Sequence, residues 1–361
     1  MKRRIFSAAR ALFASIALAS FAAVPVASAA QPAVAKNWKV PKTVDGQPDL
    51  QGNWTNATIT PLERPAAFSN LILTDEEAHK LEQAEADFVE EGARPTDPKK
   101  GILDLPVNCR PGFSGTNCGY NNFWVDAGTH VINLNGEKHS SIIVDPANGR
   151  IPAMKPEARQ RMSARMAAFR KGAGPADGPE VRSLGERCLM SFGSSAGPPM
   201  LPLLYNNNYQ IVQNRDTVLI MVEMVHDVRI IHLGGKPAPA NVKRWMGDSI
   251  GHWEGDTLVV ETTNLHPLQG FRGTSDNLKV IERFTRISPY QIRYRFTIED
   301  PTTFDQAWSG ELAMNATEEK IYEYACHEGN YALPGILEGA RVEERAAAEA
   351  EATAKKAADA G

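Results

Sequence analysis

Cysteine is scarce in this chain, four residues in 361, and neither sign of charge prevails: 39 lysines and arginines stand against 43 aspartates and glutamates, a net charge of −4. The two signs are interspersed, which excludes a basic nucleic-acid stripe or a polybasic membrane patch. The run Gly193-Ser194-Ser195-Ala196-Gly197 matches G-x-S-x-G in letters, but Pro198-Pro199 follows where that motif needs a helix, so a serine hydrolase is not expected. H-E-x-x-H is missing, and the cysteines and histidines show no paired short spacing, so no metal site is expected. Without a glycine-rich nucleotide fingerprint no cofactor is expected, and without an internal repeat the chain is neither solenoid nor propeller. The uncharged apolar run over residues 11–23 is shorter than the ~20 residues a membrane span needs, so no stable membrane insertion is expected.

What that run does fit is a secretory leader. Lys2, Arg3, Arg4 and Arg10 precede it, and Ala27-Ser28-Ala29 supplies the small residues of a cleavage site. The expectation is a signal peptide over residues 1–30 and a soluble mature protein, periplasmic or secreted. In that oxidising compartment an even cysteine count implies disulfides. Cys109 and Cys118 bracket a glycine-rich stretch and are paired here, which leaves Cys188 for Cys326.

Residues 31–64, rich in Pro, Gly, Asn and Thr, read as an extended arm wrapping the domain. Thr74 with Glu77 forms a capping-box pattern that opens a helix to about Glu91, and Pro156 starts a second helix to about Lys171. Most of the remainder reads as strand. Tyr290, Ile292, Tyr294, Phe296 and Ile298 alternate with polar residues without exception. Residues 278–287, 304–314 and 321–325 continue the pattern, and Asn135-Gly136, Gly234-Gly235 and Gly255-Asp256 read as hairpin turns. About nine such runs fall between Val125 and Ala325, with connections short enough to require antiparallel pairing. The predicted fold is mainly β: an antiparallel β-barrel, lipocalin-like or related, with an N-terminal arm and a few peripheral helices. The expected divisions are the leader (1–30), arm and helix packed on the core (31–124), β-rich core (125–338) and a solvated Ala/Glu/Lys tail (339–361).

Three clusters carry the candidate chemistry. Residues 218–225 read as a strand apolar on both faces except for Glu223, which shares its side with Leu219, Met221 and Val225, and a carboxylate among such neighbours is stripped of water and demands a partner. His226, Asp227 and Arg229 follow closely, so these residues form either an acid/base site or a buried ion pair between Glu223 and Arg229 or Arg244. Residues 322–331 are dense in polar and aromatic side chains, with Tyr324, Glu328 and Tyr331 as binding groups and His327 as a base or proton donor held beside a bridged Cys326. Arg244, Trp245, Asp248 and Trp253 surround a turn and suit the wall of a small-molecule pocket. The expected catalytic set is Glu223, His226, Arg244 and His327.

The segments Pro48-Asp49-Leu50-Gln51-Gly52-Asn53-Trp54, Arg244-Trp245-Met246-Gly247-Asp248, Trp253-Glu254-Gly255-Asp256-Thr257-Leu258 and the run from Tyr322 to Tyr331 resemble an uncharacterised family of exported bacterial proteins. The resemblance covers most of the mature chain and implies export and a shared scaffold, but no mechanism. The function expected from the residues is a cofactor-independent acid/base enzyme, a lyase, isomerase or hydrolase, acting on a small apolar or aromatic compound in a barrel pocket. The alternative is a binding or carrier protein using the same pocket. The expected partner is a small-molecule ligand or substrate, not nucleic acid, with the oligomeric state open.

Overall fold

The alternation expected over residues 290–298 holds from Ile292 onward, whereas Tyr290 is exposed at the turn and Gln291 is buried. Ile292, Tyr294, Phe296 and Ile298 are fully buried, while Arg293, Arg295, Thr297 and Glu299 between them are half-exposed. This is seen in a computed structural model of the chain, which describes residues 38–93, 99, 125–172, 174, 176–191 and 197–359. The expected leader, the Cys109–Cys118 pair and Ser194 and Ser195 lie outside the described residues.

Among the described residues twelve strands and three α-helices follow in chain order. They are β1 (Gly52–Thr55), α1 (Asp75–Ala93), β2 (Asn133–Leu134), β3 (Glu137–Lys138), β4 (Ile143–Asp145), α2 (Pro156–Gly172), β5 (Asn208–Gln213) and β6 (Thr217–Val222). After these come β7 (Val228–Leu233), β8 (Asp248–Glu254), β9 (Thr257–Thr263), β10 (Lys279–Ser288), β11 (Gln291–Glu299), β12 (Trp308–Ala316) and α3 (Ala332–Asp359). Strand order is β1-β5-β6-β7-β8-β9-β10-β11-β12 and back to β1, so nine strands close a barrel, with β4 added on the first half of β12. Closure leaves no open edge among the nine, the solution a meander requires.

Three features depart from the sequence reading. The arm is not merely a wrap: β1 is the closing strand, with Trp54 opposite Tyr209 on one side and Ala316 on the other. Gly234-Gly235 does not turn a hairpin. β7 and β8 run parallel, joined by a crossover over residues 234–247, so the barrel is mixed. That length meets the dozen or so residues a parallel return needs. Residues 321–325 alternate in polarity yet form no strand, because β1 already occupies the β12 edge they would have joined.

The barrel interior is filled. Trp54, Trp308, Tyr209, Tyr294, Phe284 and Phe296 are all at most 1 % exposed, and Phe296 meets Trp308 edge-on at 5.9 Å between centroids. Gly310 of β12 is needed where it stands, since a Cβ there would run into the Phe296 ring. Among these rings lies an ion pair: Arg229 of β7 donates to both carboxylate oxygens of Glu282 on β10, at 2.9 and 2.5 Å. Tyr294 Oη donates to Glu282 Oε1 at 2.8 Å and accepts from the Met200 amide at 2.9 Å. Burial by itself pushes the Arg229 guanidinium down, and the Glu282 charge and hydrogen bonds outweigh it, so the net direction is up. The buried partner of Arg229 is therefore Glu282, not Glu223.

The capping box forms as expected: Glu77 N donates to Thr74 Oγ1 at 3.2 Å and Thr74 N to Glu77 Oε2 at 2.8 Å, opening α1. α3 begins at Ala332, earlier than the expected tail, and none of its residues is buried. Among the described residues no helix is long and apolar enough to cross a membrane. Cys188 and Cys326 form the expected disulfide, with Cα atoms 5.7 Å apart.

Candidate ligand-binding site

β6 stops at Val222, short of the strand end expected at Val225, and Glu223 takes a right-handed helical conformation (φ −62°, ψ −44°). Val222 N donates to Asp227 O at 2.8 Å and His226 N to Glu223 O at 3.1 Å, which closes a tight turn into β7. Val225 (φ 66°) and His226 (φ 59°) both sit in the left-handed region. For a β-branched residue such as Val225 that conformation is strained, and strain of this kind concentrates where a side chain must be aimed.

The aimed side chain is Glu223, only 3 % exposed. Its Oε2 accepts from Asn208 Nδ2 at 2.9 Å and its Oε1 from the Tyr322 amide at 3.3 Å. Among the described residues no lysine, arginine or histidine pairs with it. The carboxylate lines a cavity of about 610 Å³ at the ends of β5 and β6, outside the inner face of the strands. One wall is the lead-in to β5, with Tyr205, Asn206 and Asn208; the facing wall follows β12, with Glu319, Lys320 and Tyr322; Asp126 stands at the rim. Asn207 locks the first wall from behind, its Nδ2 donating to Asp126 O at 3.0 Å and to Leu203 O at 2.9 Å.

A second cavity of about 540 Å³ adjoins it, with Asn206 on the lining of both. Tyr324 and Glu328 line this one, together with the apolar Ala325, Leu333 and Ile336. Tyr324 hydrogen-bonds Tyr205 across the boundary; burial first, then the Tyr205 charge and that bond, pushes its hydroxyl up to about 12. The Cys188–Cys326 disulfide ties this wall to the segment around Glu186, and Asn330 Nδ2 donates to Glu186 O at 3.2 Å.

No family model, no curated protein and no solved structure matches the chain. The site therefore stands on its geometry, and that geometry sorts the expected residues. Glu223, Tyr324 and Glu328 lie at the cavities. His226, Arg244 and His327 line neither, so the expected four-residue catalytic set does not assemble. His226 is turned outward by the same backbone turn that buries Glu223, and His327 is exposed beyond the disulfide. Arg244 pairs with Asp248 Oδ1 at 3.0 Å, and Asp248 Oδ2 accepts the Ala238 amide at 2.6 Å, which pins the 234–247 crossover. Trp245 stacks on His266 with centroids 4.0 Å apart, Trp253 sits half-buried on β8, and Tyr331 is 83 % exposed.

The segments singled out in the sequence thus divide by role. In Trp245-Met246-Gly247-Asp248, Gly247 has φ 73° and a Cβ there would lie 2.7 Å from Thr263 O. In Leu50-Gln51-Gly52-Asn53-Trp54 the indole donates to Leu50 O at 3.0 Å, setting the closing strand. Both are scaffold, whereas residues 322–326 and 328–330 border the cavities. The residues missed were Asp126, Tyr205, Asn206, Asn208, Glu319, Lys320 and Tyr322. The legible signal was Tyr205-Asn206-Asn207-Asn208-Tyr209, three amides between two aromatics just before a strand. Among the described residues no group of three or more metal-ligating side chains occurs.

Proposed function

We propose that this is an exported small-molecule binding protein whose site is the cavity at Glu223. The observation that carries the reading is a carboxylate 3 % exposed, without a cationic partner among the described residues, lining a space of about 610 Å³. A desolvated charge held only by neutral donors is costly, and a ligand that completes its shell recovers that cost. The volume is in the range of ligand pockets, about 300–1,000 Å³. The filled barrel interior argues against a ligand inside the strands, so the proposed pocket is at the barrel's end. Export is supported by the leader pattern together with the Cys188–Cys326 disulfide.

A second reading, acid/base turnover of the bound compound, is favoured by one observation: Tyr205 and Lys320 share the cavity with Glu223. One group can then accept a proton while another returns one. A thermal-shift panel of amines, carboxylates, sugars and aromatic compounds tests the binding reading. A ligand at a hundred times its Kd stabilises by about 2.7 kcal/mol, and this is expected to vanish in Leu204→Trp and Val125→Trp, which fill the space. No stabilising class, or equal shifts in both filled variants, would refute it. Ligand recovered chemically altered would favour the enzyme.

A further inference from the structure

We propose that the cavity takes an organic cation: a protonated amine or related charged nitrogen on an apolar or aromatic body. This rests on the cavity being a ligand site. The first ground is the electrostatics of Glu223. Its two carboxylate oxygens receive an amide N–H from Asn208 and a backbone N–H from Tyr322, both neutral donors. Each oxygen keeps acceptor capacity, since an ionised carboxylate offers about four lone-pair positions. What Glu223 lacks among the described residues is a cationic partner, and a buried carboxylate gains most from a partner that brings charge and donors together.

The second ground is the sign of the lining. Asp126 and Glu319 add two exposed carboxylates at the mouth, against a single ammonium, Lys320. A mouth of that sign attracts cations and repels anions before contact. Tyr205 and Tyr322 contribute aromatic rings to the same lining, and ring faces add attraction for a cation as well as for an aromatic body. The third ground is the adjoining cavity. It shares Asn206 with the first and is faced by Ala325, Leu333 and Ile336, a place for the apolar remainder of a molecule whose charged end is at Glu223.

The test uses three phenyl compounds of similar size whose end groups are cationic, neutral and anionic: phenethylamine, phenethyl alcohol and phenylacetate, titrated calorimetrically into the disulfide-intact protein at neutral pH. The amine is expected to bind at least tenfold tighter than the alcohol, with phenylacetate weakest. Glu223→Gln is expected to bring the amine to the level of the alcohol, a loss of about ten- to a hundredfold, the size of a hydrogen bond to a charged group. Should Glu223→Gln not fold, the rank order on the unaltered protein decides the question alone. If alcohol or phenylacetate equals the amine and Leu204→Trp abolishes their binding, the ligand class is overturned while the site stands. If none of the three binds at millimolar concentration, or all bind Leu204→Trp as well as the unaltered protein, the site itself falls and the class with it.

Discussion

Glu282→Gln removes one charge from the centre of the barrel and leaves the Arg229 guanidinium where it is. The Arg229 and Glu282 side chains are 1 % and 0 % exposed, so water cannot replace the lost counter-charge without opening the strands. The substitution converts a two-pronged charged contact into a neutral one, and it turns the bond from Tyr294 Oη into one between neutral groups. Breaking a buried pair on one side costs about 3–5 kcal/mol, at least about a fifth of a total stability of about 5–15 kcal/mol. At about 2 °C per kcal/mol for a large domain, the melting temperature should fall by roughly 6–10 °C. Urea unfolding followed by tryptophan fluorescence measures the change in free energy directly. The partner experiment is Arg229→Met with Glu282→Leu, which removes both charges together. Such replacements are often neutral or stabilising by about 1–4 kcal/mol, so the double variant should recover most of the loss or exceed the unaltered protein. A loss under about 1 kcal/mol in Glu282→Gln, or a double variant worse than the single, would refute the assignment of a dry ion pair at this position.

Three further outcomes are expected. Replacing Cys188 and Cys326 with alanine opens a loop of 138 residues and should cost up to about 5 kcal/mol by loop entropy; equal urea midpoints for oxidised and reduced protein would contradict this. Gly310→Ala forces the Phe296 ring aside and should cost about 1–3 kcal/mol by overpacking, read from the same unfolding curves, whereas Gly136→Ala, with open space around it but φ 92°, isolates the backbone contribution. His139 is 2 % exposed, and burial, the largest influence, holds its imidazole below its ordinary value. The unfolded chain therefore takes up that proton first, so stability should decline as pH falls below about 6.5 and level off below the folded value. His139→Gln should flatten this slope, and an unchanged slope between pH 5 and 7 would count against it.

The barrel was legible because period-two alternation is a local property: Ile292, Tyr294, Phe296 and Ile298 face inward wherever the strand's neighbours lie. Which strands are neighbours is not local. Nothing in Gly234-Gly235 distinguishes a hairpin from the start of a parallel crossover; the decision is made by Arg244, Asp248 and Asn264, whose bonds hold the returning chain. Likewise, Glu223 could be read as a buried carboxylate from its apolar approach, but its partners Asn208 and Tyr322 come from β5 and from the segment after β12. Grouping Glu223 with nearby His226 and Arg229 followed sequence distance, whereas the barrel turns Arg229 inward to Glu282 and His226 outward. Tyr205-Asn206-Asn207-Asn208-Tyr209 was visible as composition, and only the fold shows that its amides serve both the wall and the carboxylate.

The most direct test of the Glu223 cavity as the ligand site is a crystal structure of the protein with the tightest binder of the three phenyl compounds. The account predicts density between Tyr205 and Tyr322 at the mouth of the cavity, with the charged nitrogen within about 2.7–3.2 Å of a Glu223 carboxylate oxygen. Density on the outer face of the barrel strands, or an empty Glu223 cavity at saturating ligand, would contradict it.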